Sequence, residues 1–302
     1  MPTVYAGGQY ESFPYNRVAP LWDFLSADPL PDTGMTVEVP RFTSAAAVEA
    51  QVAQGSAIAD STPSVTNVTV NVRTLAGGVT VSRQVLERAT PAFDTVMFDQ
   101  LRGAYFGELE SAVCTGTATA SLTGVATLGT ADGANVVSIG TADVATGPAF
   151  VNKMAQGLVT LADSVYSDDA VFVMSPRRWA WLCSRSDTEG RPYVAPVAGR
   201  GASVPGSGAY GRGAGQLLGV DVITTAGIRT DFDTNEDRIV LMSRGALRAW
   251  QAAAEPQRLA VDVDAAEQLL VRLSLYNYVA SAPVQPSGIV VFSGAGLTNP
   301  FA

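Results

Sequence analysis

Met35-Thr36-Val37-Glu38-Val39-Pro40 and Val68-Thr69-Val70-Asn71-Val72-Arg73 are the two limbs of the stretch that decides how this chain is read. On the outgoing limb Met35, Val37 and Val39 alternate with Thr36, Glu38 and Pro40; on the return limb Val68, Val70 and Val72 alternate with Thr69, Asn71 and Arg73. Period-two alternation marks strands with one covered face. Residues 43–64 between them are mostly small, with no large apolar side chain beyond Val48, Val52 and Ile58. A lone two-stranded ribbon is marginal in water, so the valine stripe needs cover. Twenty extended residues per limb reach ~60 Å, whereas a compact 300-residue body has a radius of gyration of ~19 Å. The expectation is an arm that lies on a neighbouring copy, with Met35, Val37, Val39, Val68, Val70 and Val72 as inter-subunit contacts. On this reading Val70→Asp leaves the body folded and blocks assembly.

Composition supports a self-associating surface. The 302 residues are 47% apolar and only 16% charged, against a usual charged quarter. The net charge is −9, and no basic cluster exists to neutralise phosphates, which argues against tight nucleic-acid binding. An acidic wall can still enclose DNA. Histidine is absent and cysteine occurs twice, at Cys114 and Cys183, so no disulfide framework is expected and a reducing compartment fits. The N-terminus lacks the pattern of a signal peptide, and no apolar run approaches the ~20 residues of a membrane span.

Residues 1–33 combine five prolines with Tyr5, Tyr10, Phe13, Tyr15, Trp22 and Phe24. Proline removes donors and fixes φ, so an irregular, extended arm is expected, its aromatics (Tyr5, Tyr10, Phe13 and Tyr15 among them) docked on some surface. Ser82 can cap a short helix to Arg88. A long helix is expected from Pro91 to about Val113, ~34 Å in length. A further helix starts near Pro148, and a short apolar strand covers 170–174. Ser175-Pro176 repeats the cap-plus-proline helix start. Residues 199–215 hold seven glycines and read as a loop. Strands follow at 220–225, 238–242, 259–263, 268–280 and 288–293. Helices mixed with mainly antiparallel strands give an α+β class.

Tests for chemistry return little. Gly206, Gly208 and Gly211 satisfy G-x-G-x-x-G but lack the strand before and helix after that a dinucleotide site needs. Asp231, Asp233 and Asn235 match the start of a calcium loop, yet Glu236 stands where Gly belongs and Met242 where Glu belongs; a solvated acidic turn is expected. Without histidine no Ser-His-Asp or Cys-His arrangement exists, and neither cysteine has metal-spaced partners. Asp262 and Asp264 flank one strand position, as an exposed strand face does. No catalytic, cofactor or metal residue is assigned. An enzyme using 199–215 as a lid is the weakest alternative.

Val171-Phe172-Val173-Met174-Ser175-Pro176-Arg177-Arg178-Trp179, then Asp187-Thr188-Glu189-Gly190-Arg191-Pro192, a glycine-rich loop and Leu217-Leu218-Gly219-Val220-Asp221-Val222 resemble the major capsid proteins of tailed phages, which share the Hong Kong ninety-seven-type fold. Val52-Ala53-Gln54-Gly55 through Val81-Ser82-Arg83-Gln84-Val85-Leu86-Glu87 resembles the family's extended loop running into its first short helix, and 91–113 its spine helix. The resemblance implies an N-terminal arm (1–33), an extended loop (34–75), a peripheral domain in two parts (76–146 and 281–302) and an axial domain (147–280). It implies a virion protein, assembled in the host cytoplasm, that forms homo-pentamers and homo-hexamers closing into an icosahedral shell around double-stranded DNA without sequence-specific binding. A separate scaffolding protein, a portal and a decoration protein are the further partners implied; no membrane and no cofactor are. Some relatives cross-link a loop lysine to an asparagine with a catalytic glutamate. Residues 34–75 hold no lysine, and no carboxylate lies between 268 and 302 although Asn277 is present, so no isopeptide cross-link is expected. An encapsulin-like compartment is the alternative use of the same fold.

Overall fold

The alternating limbs do form strands, and the continuous apolar runs form buried ones. A computed structural model describes residues 19–44, 46–51, 53–55, 57, 60–88, 93–117, 122–165, 169–185, 194, 211–262 and 269–298. The chain opens with α1 (Pro20–Leu25), β1 (Asp28–Pro29), the ribbon strands β2 (Thr36–Phe42) and β3 (Val65–Asn71), then β4 (Arg73–Ser82). Helices α2 (Arg83–Arg88) and α3 (Phe93–Thr115) follow, then β5 (Asn135–Ser138), α4 (Thr141–Ala145), α5 (Gly147–Ser164), β6 (Ala170–Met174) and α6 (Pro176–Cys183). The last third is sheet: β7 (Gly211–Leu217), β8 (Val220–Thr224), β9 (Ile239–Ser243), β10 (Leu247–Gln251), β11 (Gln257–Asp262), β12 (Leu270–Pro283) and β13 (Ile289–Ser293).

Two sheets and the ribbon organise these elements. In the five-stranded sheet the long β12 is central. One edge takes β4 antiparallel over its whole length, from Leu270↔Ser82 to Val279↔Arg73. The other edge takes β11 and then β10, with β1 added parallel to β10. Leu275 and Val279 of this sheet share a core with Tyr105 and Leu109 of α3, and Gly77 of β4 faces Leu101. The six-stranded sheet runs β5-β13-β9-β6-β8-β7. Its inner strands read as unbroken apolar runs because both faces are covered. Val171, Val173, Val240 and Met242 face the core shared with α1 and α3. Phe172, Met174, Leu241 and Phe292 face the core of α5 and α6. At Gly157 of α5 an added Cβ would lie 2.2 Å from the Phe292 ring.

A buried ion pair pins α6 to the second sheet. Ser175 caps the helix, its Oγ accepting from Arg178 N at 3.2 Å. Arg178 is fully buried, and its Nη2 donates to Asp237 Oδ1 at 2.7 Å and to Thr298 O at 2.8 Å. Ser175 Oγ also donates to Asp237.

Several expectations change. Of the extended arm expected over 1–33, the stretch Pro20–Leu25 is helix α1 instead, because Leu21, Trp22 and Phe24 enter the main core; residues 1–18 lie outside the described residues. The glycine-rich loop expected to 215 is strand β7 from Gly211. There an added Cβ at Gly215 would lie 2.5 Å from Trp179, so glycine is what lets the strand approach the indole; residues 199–210, with Gly206 and Gly208, lie outside the described residues. Thr90 and Pro91, Asp264 and the string 187–192 also lie outside them. Sheet membership crosses the boundaries expected at 147 and 281: β10, β11 and β12 share a sheet with β4, whereas β5 and β13 share one with β6 and β9. The solvated acidic turn expected at 231–235 is retained: Asp231 and Asp233 are exposed, paired with Arg229 and Arg238.

Candidate assembly surface

The ribbon carries two faces with opposite fates. Registers Val37↔Val70 and Val39↔Val68 place these valines on one face, and Thr36↔Asn71, Glu38↔Thr69 and Phe42↔Val65 on the other. The valine face does not wait for a neighbour. Val70 (3% exposed) and Val72 (5%) lie in a cluster with Trp250, Ala280 and Ala282, with Val37, Val39 and Val68 half-buried against it. This corrects the sequence expectation: Val70 and Val72 are core residues of their own subunit. The cause is connectivity, since β3 passes through Val72 directly into β4 of the five-stranded sheet, which brings the ribbon base over Trp250 of β10. Alternation reports that a face is covered, never by which chain.

Further out the protein's own cover ends. Phe42 (71% exposed) and Val65 (52%) form an exposed apolar pair at the end of the ladder, and Val48 is open to solvent beyond it. Past that pair, hydroxyls continue the stitching. Thr43 N donates to Ser64 O at 2.8 Å, Ser64 N donates to Ser44 Oγ, and Ala47 N donates to Ser61 Oγ. Sequence reading passed over Phe42 because it breaks the valine stripe. Its signal was a large aromatic at the border of a small-residue stretch. Met35 (56% exposed) stands outside the valine cluster and lines a cleft of about 470 Å³ with Leu30, Asp32, Val72, Gln257 and Tyr278. Tyr5, Tyr10, Phe13 and Tyr15 lie outside the described residues.

Among the described residues, part of one face of the five-stranded sheet also lacks a layer. Leu273, Leu275 and Asn277 turn inward, whereas Arg272 and Tyr278 alternate with them and are exposed. Leu259 of β11 is exposed beside Ser274. Asn277 is committed elsewhere: it is buried, and its Nδ2 donates to Ala253 O at 2.8 Å and to the Tyr105 hydroxyl at 3.2 Å. Among the described residues no group of three His, Cys, Asp or Glu side chains could hold a metal, and no helix is long and apolar enough to cross a membrane.

This architecture, a two-sheet body carrying a ribbon and a long helix, is the phage capsid fold. The capsid of a native GTA particle, computed with C5 symmetry, matches with a TM-score of 0.73 at 14% identity over 98% of this chain and 96% of that one. A chain of Mycobacterium phage Che8 matches with a TM-score of 0.64 at 15% identity over 97% of each. One of Mycobacterium phage Ogopogo gives 0.65 at 17% identity over 98% and 97%. No curated protein matches the sequence. The model of the phage capsid family matches residues 15–294, and the chain belongs to that family. It is a capsid shell protein, and neither comparison favours the encapsulin-like alternative.

Proposed function

We propose that this chain builds a closed icosahedral shell of pentamers and hexamers enclosing double-stranded DNA, and that its distal ribbon, residues 42–65, is the part that reaches a neighbour. The observation that carries this reading is the exposed Phe42–Val65 pair on a ribbon whose base its own body already covers. A ribbon anchored at its root and apolar at its end is suited to tie one subunit to the next. Repetition under closed symmetry lets one set of modest contacts serve every subunit. The five-stranded sheet with α3 is read as the peripheral body and the six-stranded sheet as the axial body. The role is structural rather than catalytic. With a net charge of −9 the wall contains DNA without gripping it, and a separate scaffolding protein is the expected assembly partner.

Isopeptide cross-linking is not part of this proposal. Residues 34–75 offer no lysine, and Asn277 is buried in its own subunit. Particles boiled in detergent therefore run as a monomer on a denaturing gel; a ladder of covalent multimers overturns this. Electron microscopy of the purified chain, with and without co-expressed scaffold, tests the shell itself. Closed particles with five-fold vertices are expected. A persistent monomer under every assembly condition refutes the proposal.

A further inference from the structure

The most deeply placed acidic side chain of the long helix does not face a cation. Glu110 of α3 is 1% exposed, and its carboxylate accepts hydrogen bonds from the backbone of α1, 88 and 89 positions earlier in the chain. Leu21 N donates to Oε1 at 3.0 Å and to Oε2 at 3.2 Å, and Trp22 N donates to Oε2 at 3.2 Å. Ala19, the N-cap position of α1, has no side chain able to cap it, so Glu110 supplies from another element what a capping residue normally supplies. The turn after β8 completes the enclosure. The Thr225 side chain acts on the carboxylate, favouring its charged form, while its hydroxyl accepts from Gly227 N at 3.0 Å. At Gly227 an added Cβ would lie 3.0 Å from Glu110 Cγ, so the glycine makes room for the side chain. Among the described residues, the titratable groups facing Glu110 are Asp23 from α1 and Cys114 one turn along α3, with its Sγ at 4.0 Å; the 225–227 turn brings none.

We propose that Glu110 is a buried latch that fastens the root of the N-terminal segment to the long helix, and that its ionisation sets how firmly the root is held. Residues 1–18 precede α1 in the sequence, so α1 is the described segment that joins them to the rest of the chain. Burial is the largest influence on Glu110 and raises its pKa above the usual carboxylate value; the Thr225 side chain and the bonds from Leu21 and Trp22 oppose it, and Asp23 adds to the rise. The sign follows from linkage. A carboxyl whose pKa is higher in the closed state holds its proton more tightly when closed. The closed root is therefore favoured below the open-state pKa and loses that advantage as pH rises through the closed-state value. Opening returns the carboxylate to water.

Hydrogen exchange on the full-length chain tests this at the amides of Leu21 and Trp22. After correction for intrinsic exchange, the opening equilibrium should rise by up to about tenfold per pH unit between the two pKa values. Glu110→Gln keeps a carbonyl acceptor and a similar shape but cannot titrate, so its root protection should be independent of pH. Glu110→Ala leaves two buried N–H groups unpaired and should open the root about tenfold or more at every pH. Core amides of β9 serve as the reference that separates root opening from global unfolding. A wild-type root that shows no pH dependence, or a Glu110→Gln root that shows the wild-type slope, overturns the proposal.

Discussion

Val70→Asp, paired with Phe42→Asp, separates the two faces of the ribbon. Val70 is buried with Trp250, Ala280 and Ala282. Removing a buried valine from its apolar surroundings costs about 1.5–3 kcal/mol. An unpaired carboxylate there is pushed to its neutral form, which at pH 7 costs at most ~4 kcal/mol relative to an ordinary Asp pKa of ~3.9. Together these give roughly 2–7 kcal/mol, a large share of the ~5–15 kcal/mol that holds a domain together. With a urea m-value of about 3 kcal/mol/M, the midpoint of the monomer should fall by ~1–2 M. If the ribbon opens locally instead, the loss appears as fast exchange at the amides of β3 and as cleavage within 43–64. The ionisation part of the defect should shrink as pH falls and vanish below about pH 3, where the introduced Asp is neutral in both states. Phe42→Asp sits on the exposed face, so it should change the unfolding free energy by less than ~0.5 kcal/mol yet abolish assembly measured by light scattering. A Val70→Asp monomer as stable as wild type that fails only in assembly would refute the reasoning. It would return the valine stripe to the subunit interface.

Other perturbations test the buried pair, the packing of α5 and the two thiols. Asp237→Ala strands the buried Arg178 guanidinium and should lower the unfolding free energy by about 3–5 kcal/mol, with Asp237→Asn milder because it keeps one acceptor; denaturant titration reads both. Gly157→Ala forces a methyl against the Phe292 ring and should cost about 1–3 kcal/mol through overpacking, seen as a lower Tm. Burial raises both thiol pKa values, that of Cys114 well above the usual range. A thiol reagent at pH 8 should therefore modify only the exposed Cys183 in the native protein and both cysteines in denaturant.

Local signals were legible wherever the physics is local. Ser175-Pro176 marks a helix start because a hydroxyl and a ring with fixed φ satisfy the first turn from within a few residues, and α6 begins at Pro176. The 170–174 run is strand β6 because five consecutive apolar residues require cover on both faces. The limbs at 36–42 and 65–71 pair as alternation predicts. The short β10 was passed over, although its Trp250 is the residue that covers the ribbon base. The N-terminal arm was extended too far, because nothing near Trp22 in sequence announces that Glu110, 88 positions on, will cap α1.

Alternation, capping and composition thus determined which segments are strands and helices, and the order of these elements resembles that of capsid proteins. Tertiary structure alone decided which apolar surface is spent inside the subunit and which remains free. Hydrophobic burial is non-directional, so a valine stripe has the same pattern whether Trp250 of its own chain or a second copy covers it. Only the path of β3 into β4 distinguishes the two, leaving Phe42 and Val65 as the uncovered apolar pair at the end of the ladder.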